Sequence, residues 1–150
     1  MANIRDIWLH SQGMIRSARQ TINEDLRPLN LSSAEGNILL HLWMHGQAMT
    51  QEQLTGQLDI SKPAVSRALD SLEGKGFVTR QPDPLDRRQR RLELTGQARE
   101  IGPAVEQSYN RLYARALQGI TPQELDTFIQ LFARMSENFN RTLPQQGMED

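Results

Sequence analysis

The sequence contains no cysteine among its 150 residues. That absence excludes disulfides, thiolate metal sites, cysteine nucleophiles and redox sensing by thiols, and it fits a reducing cytoplasm. Long apolar runs are also missing, because no stretch approaches the ~20 residues that a membrane span requires. The N-terminus lacks the basic-then-apolar pattern of a secretory signal. We therefore expect a cytoplasmic chain that does not enter the membrane.

Lysine is scarce as well, since fifteen of the seventeen basic residues are arginine, the residue better suited to bidentate and minor-groove contacts. The formal net charge is only −1, but the charges are unevenly distributed. Residues 61–99 carry nine basic and five acidic residues, whereas the rest of the chain carries eight basic and thirteen acidic residues. This asymmetry favours a nucleic-acid-binding face on an otherwise acidic body.

Signatures of catalysis are missing too. The sequence has no glycine-rich phosphate loop, no Ser/His/Asp arrangement in a recognisable context and no acid pair in a catalytic frame. His41 and His45 are four residues apart and can face one metal ion from a helix, but no further ligands are identifiable. Histidines that cap, pack or face solvent are the favoured interpretation. We expect no enzyme activity, no cofactor and no metal.

The first half of the chain predicts three helices. Apolar residues at helical spacing run through residues 3–28, where a proline ends the pattern. Capping-box pairs then open a second helix at Ser32 and Glu35, and a short third helix at Thr50 and Gln53. A turn of about three residues leads to a fourth helix, which together with the third has the arrangement of a helix-turn-helix.

The fourth helix begins at Ser61, a good N-cap, and tolerates Pro63 in its first turn. Its apolar positions fall on one face: Val65, Ala68, Leu69 and Leu72. The opposite face is small and polar: Pro63, Ser66, Arg67 and Asp70, flanked by Lys62 and Ser71. Such a face suits the major groove, because small side chains allow close approach and arginine can read guanine. A plain amphipathic surface helix is the alternative.

Two strands are predicted after this helix, at residues 77–80 and 90–94, around a loop at residues 81–89. Two prolines stiffen the loop, and four arginines lie within five residues: Arg87, Arg88, Arg90 and Arg91. An arginine at such a tip can enter an A·T-rich minor groove. Asp86 is placed to hold the guanidinium of Arg88 by a charge-assisted bond. A solvated charged loop is the alternative.

These segments resemble the MarR family of winged helix-turn-helix regulators. The resemblance is carried by Ser-Lys-Pro-Ala-Val-Ser-Arg at 61–67, Leu-Glu-Gly-Lys-Gly at 72–76 and Asp-Arg-Arg at 86–88, followed by Leu-Glu-Leu-Thr at 92–95. It implies a mostly α-helical fold with a small β-hairpin wing, a helix that reads the major groove, and a wing arginine, Arg88, in the minor groove. The residues expected to bind DNA are Ser61, Lys62, Pro63, Ala64, Ser66, Arg67, Asp86, Arg87 and Arg88.

We expect a single domain over residues 1–143, with a winged helix-turn-helix core at about 32–95 and helices at about 3–28 and 96–142. Residues 144–150 are polar and expected to be disordered. Thr121, Pro122 and Glu124 form a strong helix start within the C-terminal segment. The apolar stripes at both ends of the chain must be buried somewhere. The resemblance implies that they intertwine with a second subunit, which makes the protein a homodimer.

The expected function is therefore that of a homodimeric regulator, a repressor by expectation, that binds a pseudo-palindromic site in double-stranded DNA. The resemblance also implies a small, often anionic aromatic effector. Candidate effector-binding residues are Trp8, Arg16, Arg19, His41 and Trp43, although an ordinary core edge with surface arginines is the favoured interpretation of that group. A helical protein–protein adaptor without DNA binding is the other class of function. It predicts that basic residues are depleted on the fourth helix and the wing, where Lys62, Arg67, Arg87 and Arg88 are present.

Overall fold

The computed structural model describes residues 1–58 and 60–141, which form six α-helices and a three-stranded antiparallel sheet. The elements are α1 Ile4–Leu26, α2 Ser33–His45, β1 Met49–Thr50, α3 Gln51–Leu58, α4 Lys62–Gly74, β2 Val78–Pro82, β3 Arg90–Leu94, α5 Gly96–Ala116 and α6 Pro122–Asn140, with a 3₁₀ turn at Arg27–Leu29 after α1. The predicted mostly α-helical fold with a small β wing is confirmed. The predicted disordered tail at 144–150 lies outside the described residues.

The chain divides into two compact units, residues 1–113 and the residues from 114 onward. The first unit contains α1 to α4, the sheet and most of α5, and the second contains α6. Among the described residues, no helix is both long enough and apolar enough to cross a membrane.

Capping boxes begin several helices, as the sequence predicts. Ser32 Oγ accepts a bond from the amide of Glu35 at 3.2 Å, and Glu35 accepts one from the amide of Ser32 at 3.3 Å. The same reciprocal pattern joins Thr50 with Gln53 and opens α6. These bonds satisfy amide groups that have no partner within the helix, so the starts are encoded locally.

The core of the first unit lies between α1, α2, α4 and the sheet. The predicted apolar face of α4 is buried in it, and Leu69 is 0% exposed. The most fully buried side chains are Ile22, Leu26, Ile38, Leu39, Leu54, Leu69, Leu72, Leu92, Val65, Val78 and Val105. Each buried aliphatic side chain of this size stabilises the fold by roughly 1.5–3 kcal/mol relative to exposure, so α4 is held firmly by one face.

The sheet differs from the predicted hairpin in two respects. The first hairpin strand runs over Val78–Pro82 rather than residues 77–80, and a third strand, β1, pairs with β3 through Met49↔Leu92 and Thr50↔Arg91. The order is β1-β3-β2, so β3 is central. A two-residue strand has no detectable alternation, which is why the sequence pattern does not reveal it.

A close approach between α2 and α5 places Trp43 against Gly102. A Cβ atom at Gly102 would lie 2.5 Å from the indole ring, so only glycine fits there without rearrangement. The indole Nε1 also donates a hydrogen bond to Glu106 Oε2 at 2.9 Å. Trp43 therefore anchors the first part of α5 to α2.

The terminal helices carry large apolar side chains on their surfaces. On α1 these include Ile4, Leu9, Met14 and Ile15, each more than half exposed. On α6, which buries none of its residues, the apolar stripe contains Phe128 at 57% exposure and Phe132 at 39%, with their rings stacked at 5.7 Å. Exposed apolar surface of this extent is unusual for a protein that remains a monomer.

Candidate nucleic-acid interface

The N-terminal half of α4 presents a small, polar and basic surface. Ser61 caps the helix, its Oγ accepting a bond from the amide of Ala64 at 3.4 Å, and Pro63 occupies the first turn, as predicted. Ser61, Lys62, Pro63 and Arg67 are exposed, and Ala64 and Ser66 are partly exposed. The predicted outward face of this helix is therefore accessible. A helix N-terminus also favours anions, because its first amide groups lack partners within the helix.

Lys62 and Arg67 supply the positive charge of this surface. Within the part of the chain that the structure describes, neither side chain takes part in a hydrogen bond or an ion pair. Their charged groups can therefore engage phosphates or base edges without first breaking an internal contact.

The wing, defined as residues 78–94, has a tip ordered by its own hydrogen bonds. The amide of Asp83 donates to the carbonyl of Gln89 at 3.0 Å, and the amide of Gln89 donates to the carbonyl of Asp86 at 3.0 Å. The Asp83 carboxylate accepts a bond from the amide of Leu85 at 2.8 Å. These turns hold the loop backbone, so the side chains at the tip project from a defined base.

Asp86 acts on the backbone rather than on a guanidinium. Its carboxylate accepts a hydrogen bond from the amide of Arg88 at 3.0 Å, which corrects the predicted bond to the Arg88 side chain. The reason is local, because a carboxylate two residues earlier reaches the backbone amide directly, as in an Asx-turn. Arg87 and Arg88 are exposed, whereas Arg91 is paired with Glu93 at 3.5 Å.

A contact that sequence reasoning missed joins the wing to α4. Arg80 in β2 forms ion pairs with Asp70 and with Glu73, at 2.5 and 3.2 Å. The hydrogen bond from Arg80 lowers the pKa of the Glu73 carboxyl and raises the pKa of the guanidinium. The available signal was the strand's alternation, because Arg80 lies two residues after the buried Val78 and so shares its side of the strand.

The C-terminal end of α4 is anchored by a buried carboxylate on α2. Lys75 donates to Glu35 Oε2 at 2.8 Å and to the carbonyl of Asn30 at 2.7 Å, and the Ser71 hydroxyl donates to Glu35 at 3.3 Å. Burial raises the pKa of Glu35, but the bonds from Lys75 and Ser32 outweigh it and hold the pKa below its usual range. The ion pair between Lys75 and Glu35 therefore holds the C-terminal end of α4 against α2, and the Lys75 ammonium is not available to bind another anion.

The five predicted effector residues do not meet in one cavity. Trp43 borders a cavity of about 460 Å³, and Arg19 borders a different one of about 420 Å³ that also includes Ile15 and Tyr109. Trp8, Arg16 and His41 line neither cavity. The rest of the Trp43 cavity is formed by Leu42, Gly46, Gln47, Ala48, Arg91, Leu92, Glu93, Leu94 and Arg99.

His41, one of the two histidines considered as metal ligands, makes a contact between helices. His41 Nε2 lies 2.6 Å from Gln57 Oε1 and so links α2 to α3. No group of three or more His, Asp or Glu side chains in residues 1–58 and 60–141 is arranged to hold a metal ion.

Comparison with known proteins supports this interpretation of the geometry. The model of the MarR family matches residues 31–89. A structure of the transcriptional regulator SlyA is 22% identical and superposes with a TM-score of 0.81, covering 89% of this chain and 94% of that chain. A structure of MarR is 28% identical, with a TM-score of 0.71 and coverage of 91% and 98%. A mutant MarR from E. coli, solved in complex with operator DNA, is 24% identical, with a TM-score of 0.75 and coverage of 87% and 93%. Residues 31–89 thus match the MarR family model, and the described residues have a winged helix-turn-helix fold similar to that of these solved structures.

Proposed function

We propose that this protein is a homodimeric repressor that binds a pseudo-palindromic site in double-stranded DNA. The observation that carries the proposal is the accessible basic face of α4, joined through Arg80 to a wing whose tip exposes two more arginines. A relative of the same fold has been solved with operator DNA. A protein bound over a promoter excludes other proteins from it, which is why repression is the expected outcome.

In this proposal α4 lies in the major groove. Ser61 and Lys62 contact phosphates near the helix N-terminus, and the small side chains of Pro63 and Ala64 allow the backbone to approach the bases. Arg67 and Ser66 lie deeper and contact base edges, Arg67 preferring the paired acceptors of guanine.

The wing extends the contact to the adjacent minor groove. Arg88 enters the groove from the loop tip, and Arg87 beside it contacts the sugar-phosphate backbone. Asp86 supports both by holding the amide of Arg88, so its part in binding is to shape the turn. Narrow A·T-rich minor grooves concentrate negative potential and should suit Arg88 best.

The homodimer is supported by the apolar surfaces on α1 and α6. Burying side chains such as Ile15, Phe128 and Phe132 against a second copy would remove apolar area from water at roughly 25 cal/mol per Å². A two-fold dimer places two copies of α4 in successive major grooves, about 34 Å apart, so the two half-sites should be one helical turn apart.

Selection of binders from random duplexes tests the proposal without a known operator. We expect a two-fold symmetric consensus whose half-sites are spaced by one turn, and a particle of twice the 17.1 kDa chain mass by light scattering. If no sequence is enriched at moderate salt, the adaptor function is favoured instead. An enriched but asymmetric half-site bound by a monomer would contradict the dimer and leave DNA binding intact.

We also propose that a small anionic aromatic compound regulates binding through the cavity beside Trp43. The cavity combines an indole wall with Arg99 and with Arg91, whose guanidinium is paired with Glu93 on the same wall, and its volume falls within the range typical of ligand sites. Arg91 belongs to β3, the central strand of the sheet, and Arg99 belongs to α5. A bound anion would therefore bridge two elements and shift the position of the wing.

Tryptophan fluorescence tests this site, because Trp8→Phe leaves Trp43 as the single tryptophan. In that background we expect benzoate to quench the emission saturably, neutral benzamide to have no such effect, and Arg99→Met to abolish the response. Arg111→Met, which removes a surface ion pair with Asp25, is the matched control. Equal quenching by benzoate and benzamide, or quenching that survives Arg99→Met, would exclude this cavity as the effector site.

A further inference from the structure

We propose that Arg80 is a positioning residue, which holds the wing at a set orientation to α4 and cancels the charge of Asp70 at the DNA-facing surface. The inference rests on the proposed DNA-binding function and assigns a role to a residue that is not among the expected DNA-binding residues. The proposal is based on the two ion pairs of Arg80, on the burial of the Arg80 side chain and on the position of Arg80 in the sheet.

Arg80 links strand β2 to helix α4 through two ion pairs. It sits in the middle of β2, where it pairs with the fully buried Leu92 of β3. Its side chain is only 18% exposed, and its guanidinium bonds to Asp70 and Glu73, which are three residues apart and thus adjacent on the surface of α4. A planar guanidinium held by two carboxylates fixes both distance and rotation, which a single contact cannot do.

The charge of Asp70 makes this pairing important for binding. Asp70 follows Arg67 by three residues on the outward face of α4, and its side chain is 63% exposed. A free carboxylate there would repel DNA phosphates. Arg80 pairs with this carboxylate, and Arg90 borders the same recess as Arg80 and Glu73, which adds a second positive charge near α4.

A direct phosphate contact by Arg80 is the competing explanation, and a double-mutant cycle with Arg88 separates the two. If Arg80 positions the wing, Arg80→Met already misplaces Arg88, so adding Arg88→Ala costs little more. If Arg80 contacts DNA itself, the two losses are independent and multiply.

The cycle is measured by fluorescence anisotropy on a selected duplex with A·T-rich flanks. We expect Arg88→Ala to weaken binding about fivefold, Arg80→Met at least as much, and the double variant no more than about twofold beyond Arg80→Met. Adding Asp70→Asn to Arg80→Met should restore part of the affinity, because it removes the uncompensated charge. The proposal is wrong if the affinity losses of Arg80→Met and Arg88→Ala multiply in the double variant. It is also wrong if Asp70→Asn restores no affinity to Arg80→Met.

Two further variants separate positioning from loss of folding. Asp70→Asn with Glu73→Gln keeps Arg80 but removes both of its charged partners, and it should show the same non-multiplying loss with Arg88→Ala. Arg80→Lys keeps the positive charge but lacks the planar guanidinium that bonds to two carboxylates at once. It should give an intermediate affinity. Arg111→Met, which breaks an ion pair elsewhere on the surface, should bind like wild type. If the wild type itself prefers no sequence, the proposed function fails rather than the role of Arg80.

Discussion

Helices α4 and α6 are both amphipathic, yet they use their apolar faces in opposite ways. In α4 the apolar face is covered by the chain's own core, leaving a polar, basic face to solvent. In α6 the apolar stripe itself is exposed, and none of the helix's residues is buried. In the proposed function, α4 therefore acts through its polar side, whereas α6 acts through its apolar side.

Phe132→Glu should have the largest effect on dimerisation and DNA affinity, because it places a charge in the middle of the apolar stripe of α6. We expect a monomer, and an affinity for a two-half-site duplex that falls on the order of 10²-fold because bivalent engagement is lost. Light scattering and anisotropy measure the two effects.

The control for this variant is Gln130→Glu, which adds the same charge to α6 on the face opposite the stripe. It should remain a dimer with wild-type affinity. A Phe132→Glu protein that remains dimeric would show that the apolar stripe of α6 does not form the interface.

Leu69→Ala tests the covered face of α4. The side chain is 0% exposed, so truncation leaves a cavity and should lower the free energy of unfolding by about 3 kcal/mol. Arg67→Ala, two residues earlier on the exposed face, should change it by less than about 0.5 kcal/mol. Urea denaturation measures both, and equal losses would contradict the assignment of the two faces.

Acid sensitivity at the C-terminal end of α4 should depend on Glu35. This carboxylate is 6% exposed, and its folded-state pKa lies below its unfolded value. Its stabilising contribution is therefore present at neutral pH and is lost as the pH falls from the unfolded pKa of about 4.3 through the lower folded-state value.

We expect wild type to lose more stability than Glu35→Gln between pH 7 and pH 3, because only wild type loses the ionised, hydrogen-bonded carboxylate. The free energy of unfolding measured across that range gives the comparison. Glu52→Gln, at an exposed position of α3, should follow the wild-type curve. If Glu35→Gln follows that curve too, the buried pair with Lys75 does not account for the acid sensitivity.

Arg88→Ala should have the smallest effect and the most selective one. We expect it to weaken binding by roughly 1 kcal/mol on operators with A·T-rich flanks and by less on G·C-rich flanks, without changing the melting temperature. Anisotropy with the two duplexes measures the difference. The same loss on both would place Arg88 on a phosphate rather than in the minor groove.

Features encoded by nearby residues were predictable. The capping boxes at Ser32 and Thr121 and the buried face of α4 follow from local patterns, because their partners lie within one or two helical turns. The strand β1 was missed because it contains two residues. The close approach of Trp43 to Gly102 was missed because it joins helices distant in sequence.

The candidate site likewise has features that the sequence predicts and features that it does not. The predicted DNA-facing residues of α4 are accessible because helical periodicity specifies which side faces the core. The pairing of Arg80 with Asp70 was not predicted, since it depends on how β2 packs against α4. The effector group was assembled from residue type alone, and Trp43 and Arg19 border different cavities.

The most direct test of base reading by α4 is the affinity of wild type and Arg67→Ala for a selected duplex and for its scrambled counterpart. Wild type should bind the selected duplex at least 10³-fold more tightly. Arg67→Ala should lose affinity for the selected duplex while binding the scrambled one as before. Equal wild-type affinities would contradict sequence-specific recognition. Equal losses on both duplexes, with a salt dependence about one unit shallower, would make Arg67 a phosphate contact instead.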